Sequence, residues 1–390
     1  MPIAPLNETI TLSELTRDPY SIYARLRAES PVLRVKSLGR TLLTKAADTR
    51  DVKGNSALFS TNDPNTPMEK ALGAHAYAQG RRCPFARTHG DGADFLGAKH
   101  KTIWVPSYEH HASAYLDRLP RDEVIDLFPM LAGPLAARIL AEMLGLPDAT
   151  DADMQHWSQA LIDGAGNFGW ADEPFERVAK ANIAMNRELA RMVDIVKATP
   201  DQSALSVMVN AEDPIEMSQI VSNIKIAIGG GINEPRDALL TILYGLLTNP
   251  DQLEEMKSTA DWATAFEEGV RWVAPIQVSS RVAREETEIR GFTIPKGDVV
   301  MTVQASANHD EEVYEDGHLF NVFRKTTAHQ SFGNGAHHCM GIHISRHTVG
   351  KVLLPMLFER FPDMELVDPA SVVWSGFGFR GPLNLPVRLN

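Results

Sequence analysis

Cysteine is nearly absent from this chain: 390 residues contain only Cys83 and Cys339. Two cysteines cannot make a disulfide framework, and such sparing use suits a reducing cytosol. Long apolar runs are missing too, and Met1 to Thr16 is mixed and polar. A cytoplasmic chain that is neither exported nor membrane-bound is therefore expected. Basic residues are in deficit, 38 Lys and Arg against 50 Asp and Glu. The resulting net charge of −12 argues against nucleic acid as a partner. No Gly-Lys-Ser/Thr follows the glycine run at 229–231, so a phosphate loop is excluded there. No flavin, nicotinamide or iron–sulfur motif occurs either. If the chain does redox chemistry, its electrons come from another protein or from a fused domain. Repeats, low-complexity tracts and linkers are also lacking, so residues 1–390 read as one domain.

What is present is a large apolar fraction, 44% of the chain, enough for a sizeable core. Helical periodicity dominates. Ile22 and Leu26 mark a short amphipathic helix within Asp18 to Glu29, and Leu135, Ile139, Leu140, Met143 and Leu144 share one helical face. Val32 to Thr44 alternates around Gly39 like a hairpin. Ser60 to Gly92 is rich in Asn, Pro, Gly and Arg and reads as a long ordered loop. The longest helical pattern, about Asp213 to Thr248, contains Gly229-Gly230-Gly231-Ile232-Asn233-Glu234-Pro235, which should break it. Either two helices meet there at a loop, or one long helix opens where a ligand approaches its backbone.

The most informative stretch is Phe332-Gly333-Asn334-Gly335-Ala336-His337-His338-Cys339-Met340-Gly341, with a helical pattern from Ile342 to Leu354 just after it. A cysteine between glycines at a helix start is suited to presenting a thiolate, which the helix dipole favours. A lone cysteine can also be a small buried hydrophobe. His337, His338, Cys339 and His343 could bind zinc, but no second Cys/His pair accompanies them.

The spacing Phe-x-x-Gly-x-x-x-Cys-x-Gly resembles the haem-ligand loop of cytochromes P450. That resemblance implies a mainly α fold with small β-sheets, haem lying between a long interrupted distal helix and a proximal Cys-loop and helix. It implies haem b (iron protoporphyrin IX) ligated by the Cys339 thiolate, in a loop shaped by Phe332 and Gly333. His337, Arg281 and Lys101 take the places of propionate-binding cations, although Gly97 replaces the partner usually found four residues before Lys101. Glu268 and Arg271, with Arg324, resemble the buried network that braces the ligand loop. Gly230 and Gly231 fall where small residues admit oxygen and substrate. Asn233 and Glu234 stand where most relatives carry an acid and a threonine, and Glu234 is expected to move protons. By position, Ile228, Ile232, Ile276, Val278, Phe168, Phe377 and Phe379 are expected to line an apolar substrate pocket.

The Asn-Glu-Pro tract and Trp374 to Pro382 resemble two bacterial groups. One is fused to a phthalate-dioxygenase-type reductase carrying FMN and a [2Fe-2S] cluster; the other comprises aromatic O-demethylases of the guaiacol type. The leading expectation is an NAD(P)H-dependent monooxygenase that hydroxylates or O-dealkylates small aromatics with O2. Its redox partner would be an FMN/[2Fe-2S] reductase, fused or separate, or a ferredoxin with its reductase. An H2O2-driven peroxygenase using Glu234 is the second expectation, and a non-enzymatic haem sensor the third.

Overall fold

The computed structural model describes residues 1–63, 65–72, 103–325 and 328–390. They form two compact units: Met1–Asn65, Thr241–Cys339 and Val372–Leu383 in the first, Thr66–Leu240, Met340–Ser371 and Asn384–Asn390 in the second. Helices predominate, and the sheets are small. Among the described residues no helix is long and apolar enough to cross a membrane.

The first unit is organised on a six-stranded sheet. The expected hairpin supplies two strands, Val32–Val35 and Arg40–Leu43, in the register Val32↔Leu43 to Val35↔Arg40. Gly39 makes the turn at φ +61°, a conformation that disfavours other L-residues. Arg40–Leu43 pairs in parallel with Val299–Val303, which pairs antiparallel with Val278–Ala283. Val32, Leu43, Phe59, Ala283 and Val300 form one apolar cluster with Val52, from the helix Ala46–Gly54. That packing orients the helix.

The second unit is mostly helical. Gly133–Leu144 buries Leu135, Ile139, Leu140, Met143 and Leu144, the face read from the sequence. Gly145 ends the helix at φ +84°. Asp151–Ala165 begins with a reciprocal cap, the Thr150 hydroxyl accepting from the Asp153 N–H while the Asp153 carboxylate accepts from Thr150. Asp172–Ala198 packs its Val178, Ala181, Met185 and Leu189 into the same core. A three-stranded sheet, Glu365–Leu366, Pro386–Arg388 and Val124–Asp126, completes the unit.

Two expectations are corrected. Pro67–Leu72, inside the segment read as loop, is a short helix. Its Ala71 packs so closely on Gly164 that a Cβ there would lie 3.0 Å away, so tertiary contact stabilises what local composition did not suggest. The larger correction concerns Met217–Leu247, which is one uninterrupted helix with Pro235 inside it. A mid-helix proline costs about 3 kcal/mol. Ile220, Ile224, Ile228, Ile232, Leu239 and Leu240 are each at most 1% exposed, and burying one such side chain contributes about 1.5–3 kcal/mol. Packing on both sides of Pro235 therefore outweighs the lost donor. The chain passes from the second unit to the first within this helix, between Leu240 and Thr241.

Candidate functional site

In the first unit, the sequence around Cys339 folds into a tight loop whose backbone closes on itself. The Cys339 N–H donates to the Phe332 carbonyl at 2.8 Å, and the Gly333 N–H to Gln330 at 3.0 Å. Gly333 and Gly335 adopt φ +66° and +68°, which explains both glycines. The Cys339 thiol is exposed at the end of this loop. His337 is half-buried beside it in the single turn Gly335–His337.

Three sets of contacts fix the loop. Phe332 stacks on Phe266 of the helix Trp262–Trp272, ring centroids 6.3 Å apart and planes inclined by 16°. The Ser331 hydroxyl donates to the Val270 carbonyl at 2.6 Å and accepts from the Asn308 amide at 2.8 Å. On the other side, the Asn334 amide donates to the Arg50 carbonyl at 3.0 Å, in the C-terminal half of Ala46–Gly54. Ser331, Asn308 and Asn334 were not legible as site residues, because each acts through a contact distant in sequence.

Glu268, Arg271 and Arg324 gather behind this loop. Arg271 donates twice to the Glu268 carboxylate at 2.7 Å and also to the carbonyls of Asn308, Gly317 and Leu319. Glu268 accepts further from the Asn321 N–H, and the Arg324 guanidinium approaches it at 3.7 Å. Glu268 and Arg271 are both buried, so every bond here is worth more than on the surface. Since Asn308 also bonds Ser331 and the Gln330 N–H, the network reaches the ligand loop within two hydrogen bonds.

Arg281 is buried on the strand Val278–Ala283 and donates to the Ser280 carbonyl. Lys53 is buried near it. Lys101 lies outside the described residues, as does Cys83.

Four expected pocket residues also lie in the first unit. Ile276 and Phe379 are cross-strand partners, flanked by hydrogen bonds from Gln277 to Gly378 and from Arg380 to Pro275. Both are half-buried, whereas Val278 and Phe377 are buried. Gly376 shapes the turn at φ +113°, where a Cβ would sit 1.8 Å from the Phe379 carbonyl oxygen.

In the second unit, the helix segment up to Leu240 carries the acid. Glu234 folds back along its own helix, its Oε1 lying 3.7 Å from where a Cβ on Gly230 would be. Gly230 is exposed and Ile226, Ala227 and Glu234 are partly so, which marks the open strip of the helix. Both Glu234 oxygens and both Asn233 amide atoms are buried, with no hydrogen-bond partner among the described residues. Burial pushes the Glu234 carboxyl up to about 8; the residue's own backbone amide and, less, Arg236 oppose the rise, and Asp237 adds to it. Arg236 donates to its neighbour Asp237 at 2.7 Å and lies over the Phe128 ring. An acid that keeps its proton near neutral pH, on an open helix face, can donate and recover it.

Three positions differ from expectation. Gly231 does not open the helix: its missing Cβ admits Leu140, whose Cδ2 would be 2.8 Å away. Ile228 and Ile232 are fully buried among Leu140, Leu161 and Val178 rather than flanking an opening. Apolar residues on a helix look alike in sequence whether they face core or cavity, and here the open strip offers Ile226 and Ala227 instead. Phe168 is half-buried in the turn between Asp151–Ala165 and Asp172–Ala198.

These groups suit the implied haem. An exposed thiol on a braced loop is a soft donor for iron, and buried cations nearby suit the carboxylates of a porphyrin.

Residues 263–363 match the protein-family description "Cytochrome P450". The sequence is 28% identical to 6-deoxyerythronolide B hydroxylase of Saccharopolyspora erythraea, covering 96% of each chain. It is 30% identical to linalool 8-monooxygenase of Pseudomonas putida, covering 71% of this chain and 68% of that protein. Among solved structures, the ligand-free P450 monooxygenase TamI matches with a TM-score of 0.82 at 28% identity, covering 100% of this chain and 94% of that one.

Proposed function

The chain belongs to the cytochrome P450 family, and from that premise we propose that it oxidises small aromatic compounds by hydroxylation or O-dealkylation. It has the family's fold, is an oxidoreductase of the monooxygenase type, and takes haem as cofactor through a cysteine thiolate. Residues 1–390 act as one haem domain. Bound haem supplies the oxygen-activating chemistry; what this chain's residues do around it is as follows.

Cys339 provides the sulfur ligand, and the Glu268–Arg271–Arg324 network keeps its loop in place. Arg281 and His337 hold carboxylates of the cofactor, and Lys101 takes the same role. Glu234 carries protons, with Asn233 beside it. NAD(P)H contributes two electrons through an FMN/[2Fe-2S] reductase or a ferredoxin system, one oxygen atom enters the substrate, and the other leaves as water after taking two protons. On a methoxy carbon this yields a hemiacetal, which collapses to a phenol and formaldehyde. The half-buried pair Ile276 and Phe379, with Val278 and Phe377 behind it, supports a flat apolar substrate.

The half-buried apolar pair Ile276 and Phe379 carries the substrate class, and the buried carboxyl of Glu234 on the open strip of its helix carries the proton path. Screening methoxy- and alkyl-aromatics for a substrate-induced Soret shift, then measuring formaldehyde or phenol per NAD(P)H, tests the proposal. A shift with terpenoid or macrolide ligands and with no aromatic would overturn the substrate class. The same protonated acid supports a second reading, direct use of H2O2 with Glu234 as acid–base group. Product formation from peroxide without a reductase favours it, and haem bleaching without product removes it.

A further inference from the structure

We infer that Lys53 is a further cofactor-binding residue, its ammonium joining Arg281 in a cationic seat for one haem propionate beside the Cys339 loop. This rests on the haem-thiolate reading above, but Lys53 is not among the positions the family resemblance assigns.

Lys53 occupies the last turn of Ala46–Gly54, on the face that also buries Ala46, Thr49 and Val52. It is 3% exposed, and no described carboxylate lies within ion-pair distance of it. A leucine or methionine would fill that space without bringing in a charge, and a solvent-facing lysine would need no partner. The helix end it sits on touches the ligand loop directly. A Cβ on Gly335 would lie 3.0 Å from the Lys53 carbonyl oxygen and 3.3 Å from the Gly54 Cα. The Asn334 amide donates to the Arg50 carbonyl three residues before Lys53.

The second cation is Arg281, also buried, on the strand Val278–Ala283. Burial chiefly, and the Arg281 charge in addition, hold the Lys53 amine well below its ordinary range. Two like charges brought together out of water oppose one another. A carboxylate placed between them replaces that repulsion with charge-assisted hydrogen bonds and restores the full charge of the lysine. Haem carries such carboxylates at its edge, and the loop that presents its sulfur ligand adjoins the same helix end.

The test compares haem with its dimethyl ester, which keeps the porphyrin but lacks both carboxylates. Wild type, Lys53→Met and Lys53→Arg are loaded with each cofactor, and the rate of transfer to excess apomyoglobin is followed. Lys53→Met should release haem roughly tenfold faster or more, the loss expected for one hydrogen bond between charged groups. It should leave the ester's rate within about twofold, and Lys53→Arg should restore haem retention. Equal acceleration for both cofactors, or none for haem, overturns the assignment. If Lys53→Met does not fold, Lys53→Gln replaces it under the same criterion. The wild-type spectrum separates the two ideas: without a thiolate-type Soret band the haem reading fails, and with one only Lys53 is at issue.

Discussion

Glu234→Gln removes one titrating proton while preserving the shape of the side chain, so it isolates what the buried acid does. The Glu234 carboxyl is pushed up to about 8 by burial, from an ordinary value of 4.5. Below 4.5 both folded and unfolded chains hold this proton, and its contribution to stability is fully present. As pH rises toward 8, the unfolded chain ionises first and wild type loses stability at about 1.4 kcal/mol per unit. Above 8 both states are ionised and the loss stops. The full window sets a ceiling of about 5 kcal/mol, and relaxation around the carboxylate brings the expected figure to about 2–5 kcal/mol. Urea unfolding of the haem-loaded protein at several pH values measures it. The Gln variant should gain on wild type steadily between pH 5 and 8 and hold that gain at pH 9. In turnover, wild-type product per NAD(P)H should decline as pH passes 8, whereas the variant should be low and flat. A pH-independent stability difference, together with equal product yield in the variant, would refute both the burial of this acid and its role.

The brace behind the ligand loop is testable through Arg271→Lys. A lysine keeps the charge but cannot serve the Glu268 carboxylate and three carbonyls at once, so unfolding stability should drop by about 1–3 kcal/mol, the cost of buried acceptors left without a donor. An unchanged urea midpoint would show that the network is not bracing the loop. Gly376→Ala places a Cβ 1.8 Å from the Phe379 carbonyl oxygen at φ +113°, so a loss of about 2–3 kcal/mol and a weakened aromatic spectral shift should appear together. Loss of stability with normal aromatic binding would separate this turn from the pocket.

Much of what the first unit contributes was legible because it depends on local chemistry. The Cys339 loop needed glycines at 333 and 335, and both take left-handed conformations. The Glu268–Arg271 pair follows from helical spacing, and the Val32–Thr44 hairpin from alternation around Gly39. What escaped was set by distant neighbours. Pro235 signalled a break, yet apolar packing keeps the helix continuous. Gly231 signalled an opening, yet its bareness serves Leu140. Ile228 and Ile232 face the core for reasons that lie in the helices packed on them, not in their own periodicity. Lys53 and Asn334 had no local signature beyond a lysine on an otherwise uncharged helix face and an asparagine among glycines.

Every role proposed above depends on the sulfur of Cys339 being the iron ligand. The most direct measurement is the ferrous–CO difference spectrum of the wild type beside Cys339→Ala, each purified with haem supplied. Wild type should give the red-shifted band of a thiolate-ligated haem, and the variant should lack it. The same band in both proteins, or none in wild type with the Cys339 thiol still open to alkylation, would contradict the account.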